Sequence, residues 1–287
     1  MPQTINTNLV SLNAQRNLTG SQGALATSMQ RLSSGLRVNS AKDDAAGLAI
    51  AERMNAQIRG MNVAARNAND GISMAQVAEG ALSKVGDALQ RMRELAVQAR
   101  NATNSSSDKD SLDKEFGELA KEIQRVLGGT TFNGKAILAS EAGTLTFQIG
   151  ANTTTDDSID IVTDNLQSNT TITVVAGTDN TGSARGTIDS AADTTTIANV
   201  INNIDDAIDL VNNTRATFGA TQSRFDAIVS NLMVSAENQT AARSRIMDAD
   251  FAAETAAMSR AQILQQAGNA MVAQANQLPQ QVLKLLG

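Results

Sequence analysis

A phosphate-binding loop is the first chemistry that the sequence suggests. Gly129, Gly134 and Lys135 fit the pattern G-x-x-x-x-G-K, in which backbone N–H groups cradle phosphates and the lysine reaches them. The residue after Lys135 is Ala136, where that motif needs a Ser or Thr hydroxyl for magnesium, and a helical pattern precedes the run. Asn133 followed by Gly134 is typical of a tight turn. The sequence therefore predicts a turn here, not a nucleotide site.

Neighbouring carboxylates are the next candidates for chemistry. Asp156, Asp157 and Asp160 could attract a cation, but no D-x-D-x-D-G loop surrounds them, so we predict a solvated strand edge. Asp43 and Asp44 are adjacent, and adjacent residues on a helix point apart. They are better suited to capping the start of a helix, where negative charge is favourable, than to acting as a catalytic pair.

Composition removes most of the remaining catalytic chemistry. The 287 residues include no His, Cys, Trp or Tyr. His is the usual general acid or base near neutral pH, and Cys and His are the usual zinc ligands and nucleophile partners. Carboxylate, Lys or Ser chemistry stays open on composition alone. We predict that the protein is not an enzyme and that it needs no metal or cofactor.

Charge and hydropathy limit the possible partners. The net charge is −6, whereas a protein that neutralises nucleic-acid phosphates, or binds an anionic membrane surface, needs a basic face. No stretch approaches the ~18 consecutive apolar residues of a membrane span. The first ten residues lack the basic and apolar segments of a conventional signal peptide. We therefore predict no nucleic acid and no membrane as partners, and a chain that is either cytoplasmic or exported by another route.

The elements that would position any site are mainly helices. Residues 5–36 and 246–286 carry apolar side chains at helical spacing, and Pro279 is predicted to bend or end the last helix. Ser40 is a candidate cap for a second helical run over 45–99, which has polar breaks near 67–71. A third helix is predicted from a stripe that consists of Leu112, Phe116, Leu119, Ile123 and Val126.

The middle of the chain changes period. Polar and apolar residues alternate over 144–150 and 157–161, which predicts two strands. Residues 163–196 are rich in Thr, Asp, Asn, Ser and Gly, so turns, short strands or a mobile excursion are expected there.

Helical spacing returns after residue 196, with one apolar row spaced by sevens, which is typical of a coiled coil. That row is Ile204, Val211, Phe218, Phe225 and Leu232. The second row predicted beside it is Ile201, Ile208 and Val229, interrupted by Arg215 and Gln222.

The fold class predicted from these patterns is mainly α. Long antiparallel helical rods or a coiled coil come from both chain ends, with a small β-hairpin region in the middle. We divide the chain into an inner part (1–44 with 246–287), a wall part (45–162 with 197–245) and a surface excursion (163–196). Apolar stripes at the extreme chain ends would normally fray, so they predict a chain that orders them against other copies.

The residues at both ends resemble bacterial flagellin. The N-terminal runs are INTNLVSLNAQRNL, RLSSGLRVNSAKDDAAGLAIAERM and RNANDGISMAQVAEGAL, and the C-terminal run is SRIMDADFAAETAAMSRAQILQQAGNAMVAQANQLPQQVLKLLG. The resemblance covers about 4–150 and 200–287, and 151–195 is too short for large outer domains.

That resemblance implies a subunit that polymerises with itself into the flagellar filament. It also implies type III export of the unfolded chain without a cleaved signal peptide, folding beneath the filament cap, and an extracellular location. The implied partners are further copies, cap and hook-junction proteins, an export chaperone and host Toll-like receptor 5.

Three alternatives are weaker. A hook–filament junction protein shares the end patterns, but the run 259–268 and the length favour flagellin. Some flagellins hold a metalloprotease in the variable region, which needs H-E-x-x-H, and this chain has no His. An adhesive role is left with only the short excursion.

The resemblance also assigns individual residues. It implies that Toll-like receptor 5 recognises Gln90, Arg91, Glu94, Leu95 and Glu115. It places filament assembly, and an apolar tail read by intracellular innate sensors, in Ile263, Leu264, Val282, Leu283, Leu285 and Leu286.

Overall fold

The computed structural model describes residues 7–286, and it describes side chains as far as residue 277. In chain order the elements are α1 (Leu9–Ser34), α2 (Ala45–Ala99), α3 (Ser106–Gly129), β1 (Thr131–Phe132), β2 (Lys135–Ala136), β3 (Thr144–Gln148), a 3₁₀ turn (Thr155–Asp157), β4 (Ser158–Val162), α4 (Thr170–Ala176), α5 (Thr194–Met247) and α6 (Phe251–Leu286). The mainly helical fold with a small β region is therefore confirmed. Within the described residues, no helix is both long enough and apolar enough to cross a membrane.

The chain forms two compact units. The terminal unit is Met1–Ile58 with Glu237–Gly287, and the central unit is Arg59–Ala236. Both α2 and α5 pass from one unit into the other. The three-part division drawn from the sequence stays a prediction.

The terminal unit is built on the antiparallel pair of α1 and α6. Asn8, just before α1, bonds to Ala275 late in α6, whereas Arg31 near the end of α1 pairs with Glu254 early in α6. The buried and half-buried positions on each helix recur in steps of three and four, which is the heptad spacing of a coiled coil. On α1 these seam positions are Ser11, Ala14, Leu18, Ser21, Leu25, Ser28 and Leu32. On α6 they are Glu254, Met258, Ala261, Gln265, Gly268, Val272 and Ala275.

Short backbone ties close the terminal unit where α1 and α5 end. Gly35 ends α1 with a φ of 72°, in the left-handed region that suits glycine. Ala249 N–H donates to the Gly35 carbonyl (2.9 Å), and Arg37 N–H donates to the Met247 carbonyl (2.7 Å). Val38, Ala51 and Met247 form a small core beside these ties.

The start of α2 corrects one expectation. Ser40 was predicted to cap this helix, but the helix begins at Ala45 and Asp44 caps it, because its Oδ1 accepts the Gly47 N–H (2.8 Å). Ser40 instead donates its backbone N–H and hydroxyl to Asp43 in the preceding turn. These hydrogen bonds, the hydroxyl's first, hold the pKa of Asp43 below its usual value.

The core of the central unit lies between α2 and α5. The buried row of α2 keeps heptad spacing and is rich in small residues, and it consists of Met61, Ala64, Ala68, Gly71, Ala75, Ala78, Leu82, Val85, Leu89, Met92, Ala96 and Ala99. The polar break expected near 67–71 is wrong, because α2 is continuous and Gly71 is needed for packing. A Cβ at Gly71 would lie 2.9 Å from Cζ of Phe225.

On α5 the row spaced by sevens is confirmed, but the second row lies one residue earlier than predicted. Val200 and Ala207 are buried, whereas Ile201 and Ile208 are half-buried beside them. Arg215 does not interrupt this row, because its guanidinium reaches Glu79 of α2 (3.7 Å).

The β segments pack on the same core. The predicted strands are confirmed as β3 and β4, which pair antiparallel with Thr146 opposite Asp160. Phe147 of β3 meets Phe225 edge-to-face, with ring centroids 5.7 Å apart. Asn133 and Gly134 have φ values of 50° and 81° and turn β1 into β2, so the tight-turn interpretation is confirmed.

The acidic residues of this region serve turns and pairs. Asp157 accepts the backbone N–H and the hydroxyl of Thr154, and Asp160 accepts the hydroxyl of Thr146. Within the described residues, no three acidic side chains are grouped so that they could hold a metal ion.

The excursion 163–196 is more ordered than the sequence indicates. It contains α4, with Ile172 and Val175 buried, and Ile188 is buried further on. Two side chains of α3 hold it in place: Gln124 donates to the Gly177 carbonyl (2.5 Å), and Asp113 pairs with Arg185 (2.5 Å).

At the other end of the chain, α6 runs past Pro279 to Leu286, so Pro279 does not end it.

Two glycines of α2 give matched tests of the packing. Gly71→Ala should destabilise the chain relative to Gly80→Ala by about 1–3 kcal/mol, because the new methyl group overlaps Phe225 in a filled core. Gly80 has open space around it, so Gly80→Ala should stabilise the helix by about 0.5–1 kcal/mol. Urea unfolding of the monomer, followed by circular dichroism, measures both. Equal effects of the two substitutions would contradict the packing described here.

The ion pair of Asp113 and Arg185 should make stability depend on pH. Partial burial alone would raise the pKa of Asp113, but hydrogen bonds from Arg185 and the Ile188 N–H, with the charge of Arg185, lower it below its usual value. The pair's stabilisation is therefore complete above the unfolded value of about 3.9 and is lost as pH falls through the lowered folded pKa. At pH 7, Asp113→Asn should cost about 2 kcal/mol.

The urea midpoints of Asp113→Asn and the unsubstituted chain should approach each other between pH 7 and pH 2. Asp226→Asn is the matched control, because Asp226 is exposed and makes no ion pair in the described chain. A gap that is constant with pH would contradict the assigned role.

Candidate functional site

The most deeply buried positions of the seam between α1 and α6 hold small residues. Three of the seven seam positions on α1 are serines, and Ser11 and Ser28 are the ones most deeply buried. The seam positions that α6 buries are Ala261 and Ala275. Between these two helices, therefore, no described apolar side chain larger than alanine is fully buried. Burial of a large apolar side chain contributes about 1.5–3 kcal/mol, so this pair lacks the main source of stability in a helical core.

Eight large apolar side chains of these helices lie outside the seam. They are 47% to 68% exposed, and we call them the exterior residues: Leu9, Val10, Leu12, Met29, Phe251, Ile263, Leu264 and Met271. Scattered exposed apolar residues are ordinary on a protein surface, but eight on two paired helices exceed what a solvated exterior requires. The arrangement is suited to packing against further helices.

A groove runs along one side of the pair. Its volume is about 320 Å³, with Val10 and Asn17 of α1 on one wall and Leu264 and Met271 of α6 on the other. Leu18 and Gly268 form its floor, where a Cβ on Gly268 would lie 3.1 Å from Cδ1 of Leu18. The small residue lets the two backbones approach closely and leaves the groove open to a side chain from outside.

Charge does not oppose such packing. Residues 8–30 contain Arg16 as their sole charged residue, and residues 261–277 contain none. Like surfaces with so few charges can meet without the repulsion that keeps highly charged helices apart.

The structure divides the residues that the resemblance assigns to assembly. Ile263 and Leu264 are exterior residues of α6. Val282, Leu283, Leu285 and Leu286 lie within α6 but beyond the residues whose side chains are described.

Sequence reasoning missed several residues of this surface. Val10 and Met271 were not singled out as surface residues, and Asn8, Ser11 and Asn276 were not recognised as a hydrogen-bonded group. Polar residues that recur at seam positions are the signal that could have shown the group.

A second set of assigned residues lies on the central unit, on α2 and α3. Gln90, Arg91, Glu94 and Glu115 are all exposed. The Arg91 guanidinium donates to Glu94 (2.8 Å) and to Glu115 (2.9 Å), and these hydrogen bonds raise its pKa. Arg91, Glu94 and Glu115 therefore form one ion-paired surface group that joins the two helices, and Gln90 precedes Arg91 in the chain.

Leu95 does not belong to that surface group. It is 1% exposed and packs in the core of the central unit. A partner cannot contact it in this conformation, so its substitution would act through the core.

Comparison with known proteins matches both helical ends of the chain to one family. The model of the bacterial flagellin N-terminal helical region matches residues 5–143, and that of the C-terminal helical region matches residues 201–286. A flagellin of Halalkalibacterium halodurans is 44% identical over 98% of this chain and 99% of its own length. A flagellin of Bacillus subtilis is 42% identical, again over 98% of this chain and 99% of its own length. The crystal structure of Bacillus cereus flagellin is 31% identical, covers 62% of this chain and 94% of its own, and has a TM-score of 0.47.

These matches cover both helical ends and nearly the whole chain. The protein is thus structural and not an enzyme, and it polymerises with itself into the extracellular filament of the flagellum. On this evidence the chain belongs to the bacterial flagellin family.

Proposed function

We propose that the exterior residues of α1 and α6 are the contacts through which this filament subunit binds other copies. The observation that carries the proposal is the reversed distribution of apolar residues in the terminal unit. The fully buried seam positions hold serine and alanine and the seam leucines are only half-buried, while eight leucine, valine, isoleucine, phenylalanine and methionine side chains are exposed outside the seam.

The free energy of association favours burial of several exterior residues at once. Each exterior residue is about half exposed, so burying the remainder contributes about 1–2 kcal/mol. Association of two proteins costs about 4–15 kcal/mol in lost freedom, so a contact through one or two of these residues is not stable. Several have to be buried together, which requires neighbours on more than one side, as a helical array of identical subunits provides.

Other roles that the resemblance implies are part of the same proposal. Cap and hook-junction proteins and an export chaperone would meet the same apolar surface of the terminal unit, because they act before or beside the polymer. Type III export without a cleaved signal peptide suits a chain whose terminal helices gain most of their apolar burial only on assembly. The apolar tail that ends in Leu286 is proposed for filament contacts and for intracellular innate sensors.

A matched pair of methionines tests the assembly surface. Met271→Gln, combined with Leu264→Gln, should leave the monomer's helix content and unfolding midpoint unchanged and raise the critical concentration for polymerisation at least tenfold. Met258 lies in the seam, so Met258→Gln should lower the monomer's unfolding midpoint instead. The measurements are seeded polymerisation by light scattering, electron microscopy of the products and circular dichroism. Filaments that form from Met271→Gln/Leu264→Gln at the normal concentration would refute the proposal.

A second function is proposed for the surface group of the central unit. We infer that Gln90, Arg91, Glu94 and Glu115 are recognised by Toll-like receptor 5. The supporting observation is that four of the five residues indicated by the resemblance are exposed, and that ion pairs join three of them, Arg91, Glu94 and Glu115, on two helices.

Arg91→Ala should weaken signalling through Toll-like receptor 5 about tenfold without unfolding the monomer, because exposed ion pairs contribute only about 0–1 kcal/mol to stability. Arg125→Ala is the control, since Arg125 is also exposed and paired with a carboxylate. By contrast, Leu95→Ala should cost about 2–5 kcal/mol of folding stability through the core. Dose–response curves in receptor-reporter cells, with thermal unfolding of each monomer, give the result. Equal potency of Arg91→Ala and Arg125→Ala would remove the receptor assignment.

A further inference from the structure

The apolar contacts of the α1–α6 seam do not specify one register. Leu18, Leu25 and Leu32 recur every seven residues on α1, and Ala261, Gly268 and Ala275 recur every seven residues on α6. In the structure Leu18 packs beneath Gly268, and antiparallel pairing then places Leu25 at the level of Ala261.

A shift of one heptad preserves this packing. It would place Leu25 at Gly268, Leu18 at Ala275 and Leu32 at Ala261, so that each leucine faces a small residue, whereas in the structure Leu32 lies at the level of Glu254. Because both rows share one period, the hydrophobic contribution is almost the same in the two registers.

Polar contacts toward each end of the pair distinguish the observed register from the shifted one. Near the start of α6, Arg31 pairs with Glu254 (2.9 Å). Near the start of α1, the Asn8 side chain donates to the Ala275 carbonyl and the Ser11 hydroxyl donates to Asn276 Oδ1, both at 2.7 Å. Asn8 Oδ1 also accepts the Ser11 N–H (3.0 Å), so the group of Asn8, Ser11 and Asn276 forms one connected clasp.

The clasp is buried enough to be selective. Ser11 is 5% exposed, and a shift of α6 by one heptad would move its partner Asn276 away and leave the buried hydroxyl without that hydrogen bond. A buried polar group without a partner costs more than a normal hydrogen bond contributes, which is how one polar residue in a coiled coil rejects wrong registers.

Within one chain, the backbone ties of Gly35 and Arg37 already restrain the near end of the pair. No such tie acts when α1 of one copy meets α6 of another. When many copies meet in a polymer, α1 of one copy can therefore pair with α6 of another, which has the same small-residue spacing as its own α6.

We propose that Asn8, Ser11 and Asn276 are specificity determinants of self-assembly. They select pairing of α1 with α6 of the same chain in the observed register, and they reject pairing with another copy's α6 displaced by one heptad. The clasp lies in the seam, so this inference is independent of the exterior contacts proposed above.

Disulfide formation can report the register, because the chain contains no cysteine. Leu18→Cys with Gly268→Cys reports the observed register, since a Cβ at 268 lies 3.7 Å from Cβ of Leu18 and disulfides span about 3.5–4.5 Å. Leu25→Cys with Gly268→Cys reports the displaced register. Non-reducing gels separate intrachain disulfides from disulfide-linked dimers.

Each reporter is placed in the full chain with the clasp intact, with Asn8→Ala and Asn276→Ala, or with the control changes Gln15→Ala and Asn269→Ala. The control removes amides of the same kind from positions that make no side-chain hydrogen bond in the described chain. Proteins are oxidised under polymerising conditions, and the yield of each disulfide is measured.

With the clasp intact, the observed-register disulfide should form within the chain and the displaced one should be scarce. Removing the clasp should raise the displaced, dimer-forming disulfide at least fivefold, because each lost hydrogen bond is equivalent to about fivefold in an equilibrium. The control should leave both yields unchanged. An unchanged displaced yield in the clasp variant, or an equal rise in the control, would overturn the proposal.

If Asn8→Ala with Asn276→Ala prevents folding, the observed-register disulfide also disappears. Ser11→Ala then decides the question, because it removes one hydrogen bond and favours the helix. A rise of a few-fold in the displaced disulfide supports the clasp, and no rise refutes it. Polymerisation of the unsubstituted chain is followed in parallel. A result that contradicts the role of the clasp is thereby distinguished from one that contradicts the role of the exterior residues in assembly.

Discussion

Both helix pairs depend on small residues that face large ones at heptad spacing. In the central unit the small row of α2, which includes Ala68, Gly71 and Ala75, faces the helix that carries Phe218 and Phe225. In the terminal unit the small row lies on α6 and accepts leucines of α1. A small residue opposite a large one brings backbones close and fills the space between them, so one sequence period sets the geometry of each pair. In a chain with 2% aromatic residues, this is how density is achieved without large rings on both sides.

The two units differ in what is added to that pattern. The central unit covers its helix pair with α3, α4 and the β3–β4 hairpin, and it buries Phe116, Phe218 and Phe225. Among the described residues of the terminal unit, eight large apolar side chains of α1 and α6 stay exposed outside the seam. The same repeat therefore supports both units, because the central unit receives additional apolar layers from its own chain and, in the proposal above, the terminal unit receives them from neighbouring copies. This division matches the work of a filament subunit, in which one part holds its fold and another completes it by assembly.

Sequence periodicity predicted the five long helices, the strands β3 and β4 and the row spaced by sevens, because those depend on spacing within one segment. It failed where the partner decides which face is buried. On α1, hydrophobicity favours Leu9, Leu12 and Met29, yet packing buries Ser11 and Ser28 and leaves those three exposed. On α5 the buried second row lies one residue earlier than the more apolar one. The excursion 163–196 reads as loop because few residues, such as Ile172 and Ile188, provide its core, and Asp113 holds it through a pair 72 residues apart. Such a pairing has no local signal.

The residues assigned by the resemblance show the same limit, because a sequence motif does not distinguish exposed side chains from buried ones. Arg91 and Leu95 are four residues apart, so a helix presents them on one face, and a motif treats them alike. The core of the central unit extends far enough around α2 to include Met92, Leu95 and Ala96, and this boundary passes between Arg91 and Leu95. In the seam, conversely, serine occupies positions that a pattern search assigns to solvent. Polar residues there cost hydrophobic stability, but a hydroxyl can be satisfied in only one alignment, whereas a leucine is satisfied in several. A chain that must meet many identical copies gains from that exchange, since alternative pairings increase with the number of copies while the apolar contacts alone do not distinguish them.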